Sequence, residues 1–121
     1  MQYHLLIYFD PNEVFSGSQE ANAMLAEIGP HSAELTASGV LVASFPLNLP
    51  KEAITVSARS GKTTTTDGPF IEAREMIGGL TVIEVRDLNE ALRIAAGMPH
   101  AKMGHIEVRP AIDYSKPRPK L

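Results

Sequence analysis

With 121 residues, the chain has room for one domain and one core, and burying about two thirds of its unfolded surface is enough to hold a fold. Its 44% hydrophobic and 21% charged content excludes a disordered tail, and the absence of cysteine excludes a disulfide scaffold, a thiolate metal site and a cysteine nucleophile. Fourteen acids against eleven Lys and Arg give a net charge of −3, which argues against nucleic acid as a partner.

No apolar run approaches the ~20 residues that span a bilayer, and Met1–Asp10 lacks the basic start of a signal peptide. A cytoplasmic chain without membrane contact is expected. Residues 1–50 hold five acids and no Lys or Arg, whereas residues 51–121 hold nine acids and all eleven bases. Such asymmetry either guides subunit pairing or marks one acidic helix face in solvent.

Tyr3–Phe9 is β-branched, aromatic and aliphatic and reads as a first strand, with Tyr3, Leu5, Ile7 and Phe9 on one face and His4, Leu6 and Tyr8 on the other. Asp10-Pro11-Asn12 ends it. Ser16 with Gln19 resembles a capping box and predicts a helix start near residue 17. Ala21, Met24, Leu25, Ile28, Ser32 and Leu35 then share one side at helical spacing. Gly29-Pro30 interrupts that pattern and predicts a kink or a restart, and Gly39 closes the helix. Val40–Leu49 is extended, with Pro46 and Pro50 pointing to a sheet edge.

Ala53–Arg59 and Lys62–Thr66 flank Ser60-Gly61 and read as a hairpin, followed by a turn at Asp67-Gly68-Pro69. Glu72–Ile77 is expected to make one helical turn. Gly79–Val85 is apolar on both faces and predicts a central strand covered on both sides. Asp87-Leu88-Asn89-Glu90 is a second capping box, opening a helix whose apolar stripe is Leu88, Ala91, Leu92 and Ala95, with Gly97 and Pro99 at its end. His105–Arg109 alternates as the last strand, stopped by Pro110. Residues 1–112 therefore form the domain, and 113–121 a basic, Pro-rich tail.

This order predicts an α+β fold: a ferredoxin-like antiparallel sheet with two main helices on one face. The other face would then expose an apolar patch larger than monomers usually carry, so a homodimer is expected.

Asp67-Gly68-Pro69-Phe70, Glu72 and Glu75, Gly78-Gly79 before a strand, and Glu107-Val108-Arg109-Pro110 together resemble the DGPF branch of the YCII-related family. The resemblance runs from Tyr3 to about Ala111. It implies a dimeric α+β barrel and a function that is largely uncharacterised, with some relatives treated as small lyases or dehydrochlorinases. It also implies an association of DGPF-type proteins with extracytoplasmic-function sigma factors. Smaller members are described with a His on the first helix and an Asp just before a Pro after the second. His31 is similar to the first, but Met98 precedes Pro99, and a thioether cannot orient an imidazole as a carboxylate does. Arg74 stands where the group often has Lys, which keeps the charge and changes its shape.

His31 sits about 60° from the centre of its helix stripe at ~100° per residue, either a general base facing a pocket or a boundary histidine with one hydrogen bond. Asp67 is either a carboxylate at a pocket mouth, replacing the missing partner, or turn chemistry. Glu72, Arg74 and Glu75 either hold a polar ligand or form a solvated ion-pair cluster. Because the last strand of such a sheet lies beside the first, His105, Glu107 and Arg109 come near His4 and Tyr8. They would line a polar cavity with Arg109 as an anion clamp, or Glu107 and Arg109 would pair to fix dimer register.

Gly61-Lys62-Thr63 lacks the earlier glycine of a P-loop, and His100 with His105 has no third ligand at metal spacing, so neither motif carries function. The aromatic RNP1 pattern and the G-x-S-x-G elbow are absent. The expected function is small-molecule binding with His-based, lyase-like acid/base chemistry. His31 would transfer the proton, Asp67 or Glu75 would partner it, and His4, Tyr8, Arg74, His105 and Arg109 would contact the ligand, with no cofactor. The alternative is a non-catalytic regulatory or protein-interaction module working with a sigma factor.

Overall fold

The computed structural model describes residues 1–121. Strand β1 (Gln2–Phe9) leads through a one-turn helix α1 (Pro11–Val14) to the long helix α2 (Gln19–Ser38). Strand β2 (Leu41–Pro46) follows, then the hairpin of β3 (Ile54–Ser57) and β4 (Thr64–Asp67). The chain closes with β5 (Met76–Glu84), α3 (Leu88–Ala96) and β6 (Gly104–Pro110). The main sheet is antiparallel in the order β2-β5-β1-β6, the ferredoxin-like arrangement expected, and β3-β4 forms a separate two-stranded sheet.

The alternation of β1 decides which face is core. Tyr3, Leu5, Ile7 and Phe9 are buried, and they pack with Met24 of α2, Ala91 and Ala95 of α3, and Ile83 of β5 in one cluster. Both main helices thus cover the same face. Fully burying a side chain such as Leu5 contributes roughly 1.5–3 kcal/mol, and Leu5 and Ile83 are both 0% exposed. Strand β5 is central, between β1 and β2: its helix side packs in the core, and on its other side Val82 is buried and Leu80 partly exposed. Beyond Pro110, residues 113–121 are exposed and carry no helix or strand.

The helix ends follow side-chain chemistry. Asp87 accepts the Glu90 amide at 2.9 Å, while the Glu90 carboxylate reaches back to the Arg86 amide and guanidinium. Those Arg86 contacts hold the Glu90 carboxyl below its ordinary pKa. Gly39 ends α2 with a left-handed φ of +78°.

Three expectations are corrected. The cap of α2 is Ser18, whose Oγ accepts from the Ala21 amide at 3.1 Å, rather than Ser16, because Gly17 is left-handed at φ +82° and cannot begin a helix. No restart occurs at Gly29-Pro30: α2 runs unbroken to Ser38, held by Ile28 before the proline and Leu35 after it, which both face the sheet. Glu72–Ile77 makes no helical turn. Met76 and Ile77 pair instead with Phe9 and Tyr8, so the sheet captures them as the start of β5.

Candidate functional site

Strand β5 starts with a local irregularity that shapes the site. Its register on β1 shifts between Ile7 and Tyr8, so Ile7 faces Gly79, Tyr8 faces Ile77 and Gly78 is left without a partner in the ladder. A side chain on Gly78 would run into the Phe9 ring, which lies directly over that backbone. The other side of the Phe9 ring environment is an imidazole: His100 stacks with it, ring centroids 6.2 Å apart and planes 18° from parallel.

His100 reaches this position because α3 stops at Gly97 and Pro99 starts a short 3-10 turn, Pro99–Lys102, which returns the chain to the sheet. Between this turn, α2 and the β2–β5 side of the sheet lies a cavity of about 150 Å³. Ile7, Ile28, Leu35, Leu41 and Met98 make its walls apolar, and its polar groups are His31, Ser32, Ser44, Thr81 and His100. No Asp, Glu, Lys or Arg lines it.

Burial, and then the charge of His31, hold the His100 imidazole below the ordinary histidine pKa of 6.5. Its Nδ1 is buried and has no hydrogen-bond partner. A buried polar atom left unpaired costs about 1–3 kcal/mol, so this nitrogen is destabilising unless something bonds it. A neutral imidazole beside a second imidazole can take a proton from a bound molecule, and the second can return one.

The remaining predicted residues lie elsewhere. On the sheet face away from the helices, His4 faces Arg109, Leu6 faces Glu107 and Tyr8 faces His105 across the β1–β6 ladder. The sequence thus brought His4, Tyr8, His105 and Arg109 together, but the sheet itself separates them from His31. The Arg109 guanidinium pairs with the Glu107 carboxylate, and Glu75 Oε1 sits 2.7 Å from His105 Nδ1, so Glu75 partners His105 and not His31. Arg74 bonds Glu13 at 3.1 Å and lies 3.4 Å from the largely buried Asp10, which also caps α1. Asp67 is exposed at the end of β4 and has no part in the cavity lining. Nowhere do three His, Asp or Glu side chains converge as a metal site requires.

His100 is the residue that sequence reasoning missed. Its spacing from His105 invited only a metal reading. The available signal was its place just after Met98-Pro99, next to the position at which the family resemblance implies a carboxylate.

A family model described as a YCII-related domain matches residues 1–115. An uncharacterized protein of Rhizobium meliloti (strain 1021) is 29% identical over 117 residues, which cover 94% of each chain. Among solved structures, a 5-chloro-2-hydroxyhydroquinone dehydrochlorinase (TftG) from Burkholderia phenoliruptrix AC1100, in complex with 2,5-dihydroxybenzoquinone, matches with a TM-score of 0.53. That match covers 95% of this chain and 97% of the other at 13% identity, a likeness of fold.

Proposed function

The chain belongs to the YCII-related family, and from that footing we propose that it binds a small molecule between His31 and His100 and moves a proton on it, as a small lyase does. Within the family, the Asp67-Gly68-Pro69-Phe70 turn and the terminal Glu107–Pro110 run support a place in the DGPF branch. The observation that carries the functional reading is that His31 and His100 line one largely apolar cavity between α2, the turn after α3 and the sheet. A dehydrochlorinase shares the fold, which supports the lyase-like class of chemistry.

In this reading His31 keeps the proton-transfer role that its helix position suggested, and His100 takes the partner's place in preference to Asp67 or Glu75. An imidazole partner differs from a carboxylate. It brings no negative charge to the pair, and burial holds the His100 ring neutral and so available as a base, with whichever ring accepts the proton becoming the acid.

The strand residues take a different part. A second copy of the chain covers the outer sheet face, where Phe45 is 54% exposed and Leu6 and Leu80 are partly exposed. Glu107 and Arg109 then act as the ion pair that sets its register, with His4, Tyr8 and His105 around them.

Proton NMR of the imidazole signals tests the site. His100 should titrate below an ordinary histidine, His31→Ala should raise its pKa, and members of a library of small ring compounds should shift both signals together. Two independent imidazoles that behave as free surface groups, with no compound moving either, would end the proposal.

A further inference from the structure

The β3–β4 hairpin shows its apolar side to water. Its two strands pair only with each other and join no other strand. Thr55 and Ser57 are half-buried, whereas Ile54 and Val56, the large apolar side chains of β3, are 66% and 63% exposed. Phe70 and Ile71, just after β4, are exposed as well. A lone two-stranded hairpin is marginally stable at best in water. This one is firmly built all the same. At its base the Gly68 amide donates to the Ala53 carbonyl at 2.8 Å, and Thr55 Oγ1 donates to the Gly68 carbonyl at 2.9 Å. At its tip Ser60 and Gly61 are both left-handed, with φ of +57° and +72°, the backbone that a tight hairpin turn requires. A braced arm with its β-branched side outward is a surface that a partner covers.

Charge identifies the partner. Residues 54–66 carry Arg59 and Lys62 beside the tip and no acid, and neither base forms an ion pair within the chain. The opposite surplus lies in the same polypeptide, because residues 1–50 hold five acids and no Lys or Arg. Arg74 takes up Asp10 and Glu13, and Lys102 takes up Glu27. Glu20 and Glu34 of α2 stay exposed with no cation beside them. A basic, apolar arm and an acidic helix side thus coexist in one chain without meeting, and two copies about a two-fold axis would make that contact twice.

We propose that the hairpin is an intersubunit clasp: each copy lays Ile54 and Val56 on the other and brings Arg59 and Lys62 to the Glu20 and Glu34 side of its α2. The inference rests on the two-chain reading of the outer sheet face above and adds a second contact and the residues that make it. Reach is sufficient. From Ala53 to Ser60 the arm extends about 20 Å at ~3.3 Å per residue, enough to pass a sheet stacked about 10 Å away and meet the helix layer behind it.

The test uses the full chain and reads the dimer dissociation constant by sedimentation equilibrium. Ile54→Thr with Val56→Thr keeps both positions β-branched, and so keeps the hairpin, yet should raise the constant at least about tenfold. Arg59→Glu with Lys62→Glu should raise it about tenfold or more at low salt and less at high salt. Adding Glu20→Lys and Glu34→Lys to that charge-reversed chain should recover most of the loss. If the charge variants disturb folding, trypsin gives a second readout: cleavage after Arg59 and Lys62 should be slow in the wild-type dimer and at least about tenfold faster in the threonine variant. Unchanged constants in the hairpin variants, or no recovery in a folded charge-swapped chain, overturn the inference. In that case a dimer that Leu6→Lys still dissociates leaves the sheet-face contact standing. A wild type that sediments as a single chain ends both readings. Protection of the arm from trypsin by a cell extract, and not by a second copy, would give the surface to a different protein and overturn the clasp as well.

Discussion

His100 stacks against Phe9 with ring planes only 18° apart, and that one contact ties the turn after the second main helix to the end of β1. Gly78 makes it possible. Without a side chain there, the Phe9 ring settles on the β5 backbone and offers its flat side to the imidazole. Phe15 closes the arrangement by meeting Phe9 edge-on, 6.0 Å between centroids.

Gly78→Ala therefore tests a positioning role. The added methyl must displace the Phe9 ring, an overpacking that costs about 1–3 kcal/mol. It should also loosen the seat of His100 and let its pKa rise toward 6.5, the ordinary value. Urea unfolding and an NMR titration measure the two effects on one sample. A merely structural glycine would lower stability and leave the imidazole titration where it was.

What could be read in advance follows the range of the forces involved. The β1 alternation, the Asp87 cap and the Gly39 stop are local, so the sequence displays them directly. That His105 and Arg109 come beside His4 and Tyr8 was legible too, since a ferredoxin-like order forces β6 alongside β1; the register that pairs His4 with Arg109 and Tyr8 with His105 was not. His100 was not. Its position depends on a proline turn, a ring from the other end of the chain and a missing side chain on a third strand. Glu75 was misassigned for a related reason: the bond to His105 exists only because the sheet extends back to Met76, where local pattern suggested a helical turn.

Stability should fall on the acid side because of His100. Its folded pKa lies below the unfolded value near 6.5, so the unfolded chain binds the proton more readily. The contribution is complete above the unfolded pKa and declines as pH drops below it toward the folded one. Urea midpoints measured from pH 8 to pH 5 should decline in the wild type and decline less in His100→Gln. Parallel curves would show that His100 is not held neutral by the fold.

Leu5→Ala probes the core against which α2 and α3 pack. Leu5 is 0% exposed in the middle of the sheet's helix face, and truncation should cost roughly 2–5 kcal/mol by lost burial and a residual cavity. Thermal and chemical unfolding should agree on the loss. A cost below about 1 kcal/mol would mean the layers repack freely, which close-packed interiors seldom allow.

The open sheet face supplies the last prediction. Leu6 lies at its middle, opposite Leu80 on one side and Glu107 on the other, and Phe45 extends the apolar surface at the β2 edge. A surface of this kind is normally buried, and a second copy offers a matching one. Light scattering at micromolar concentration should give twice the 13.1 kDa chain mass, and Leu6→Lys, which would put a charge on the face that a second copy buries, should return the value of a single chain. Because the His31–His100 cavity is on the helix side of the sheet, the monomeric variant should keep the low His100 titration. A wild type that scatters as one chain would leave the exposed face unexplained and remove the register role of the Glu107–Arg109 pair. Loss of the His100 signature on dissociation would mean instead that the two faces of the sheet are coupled, and that the cavity needs its partner to take shape.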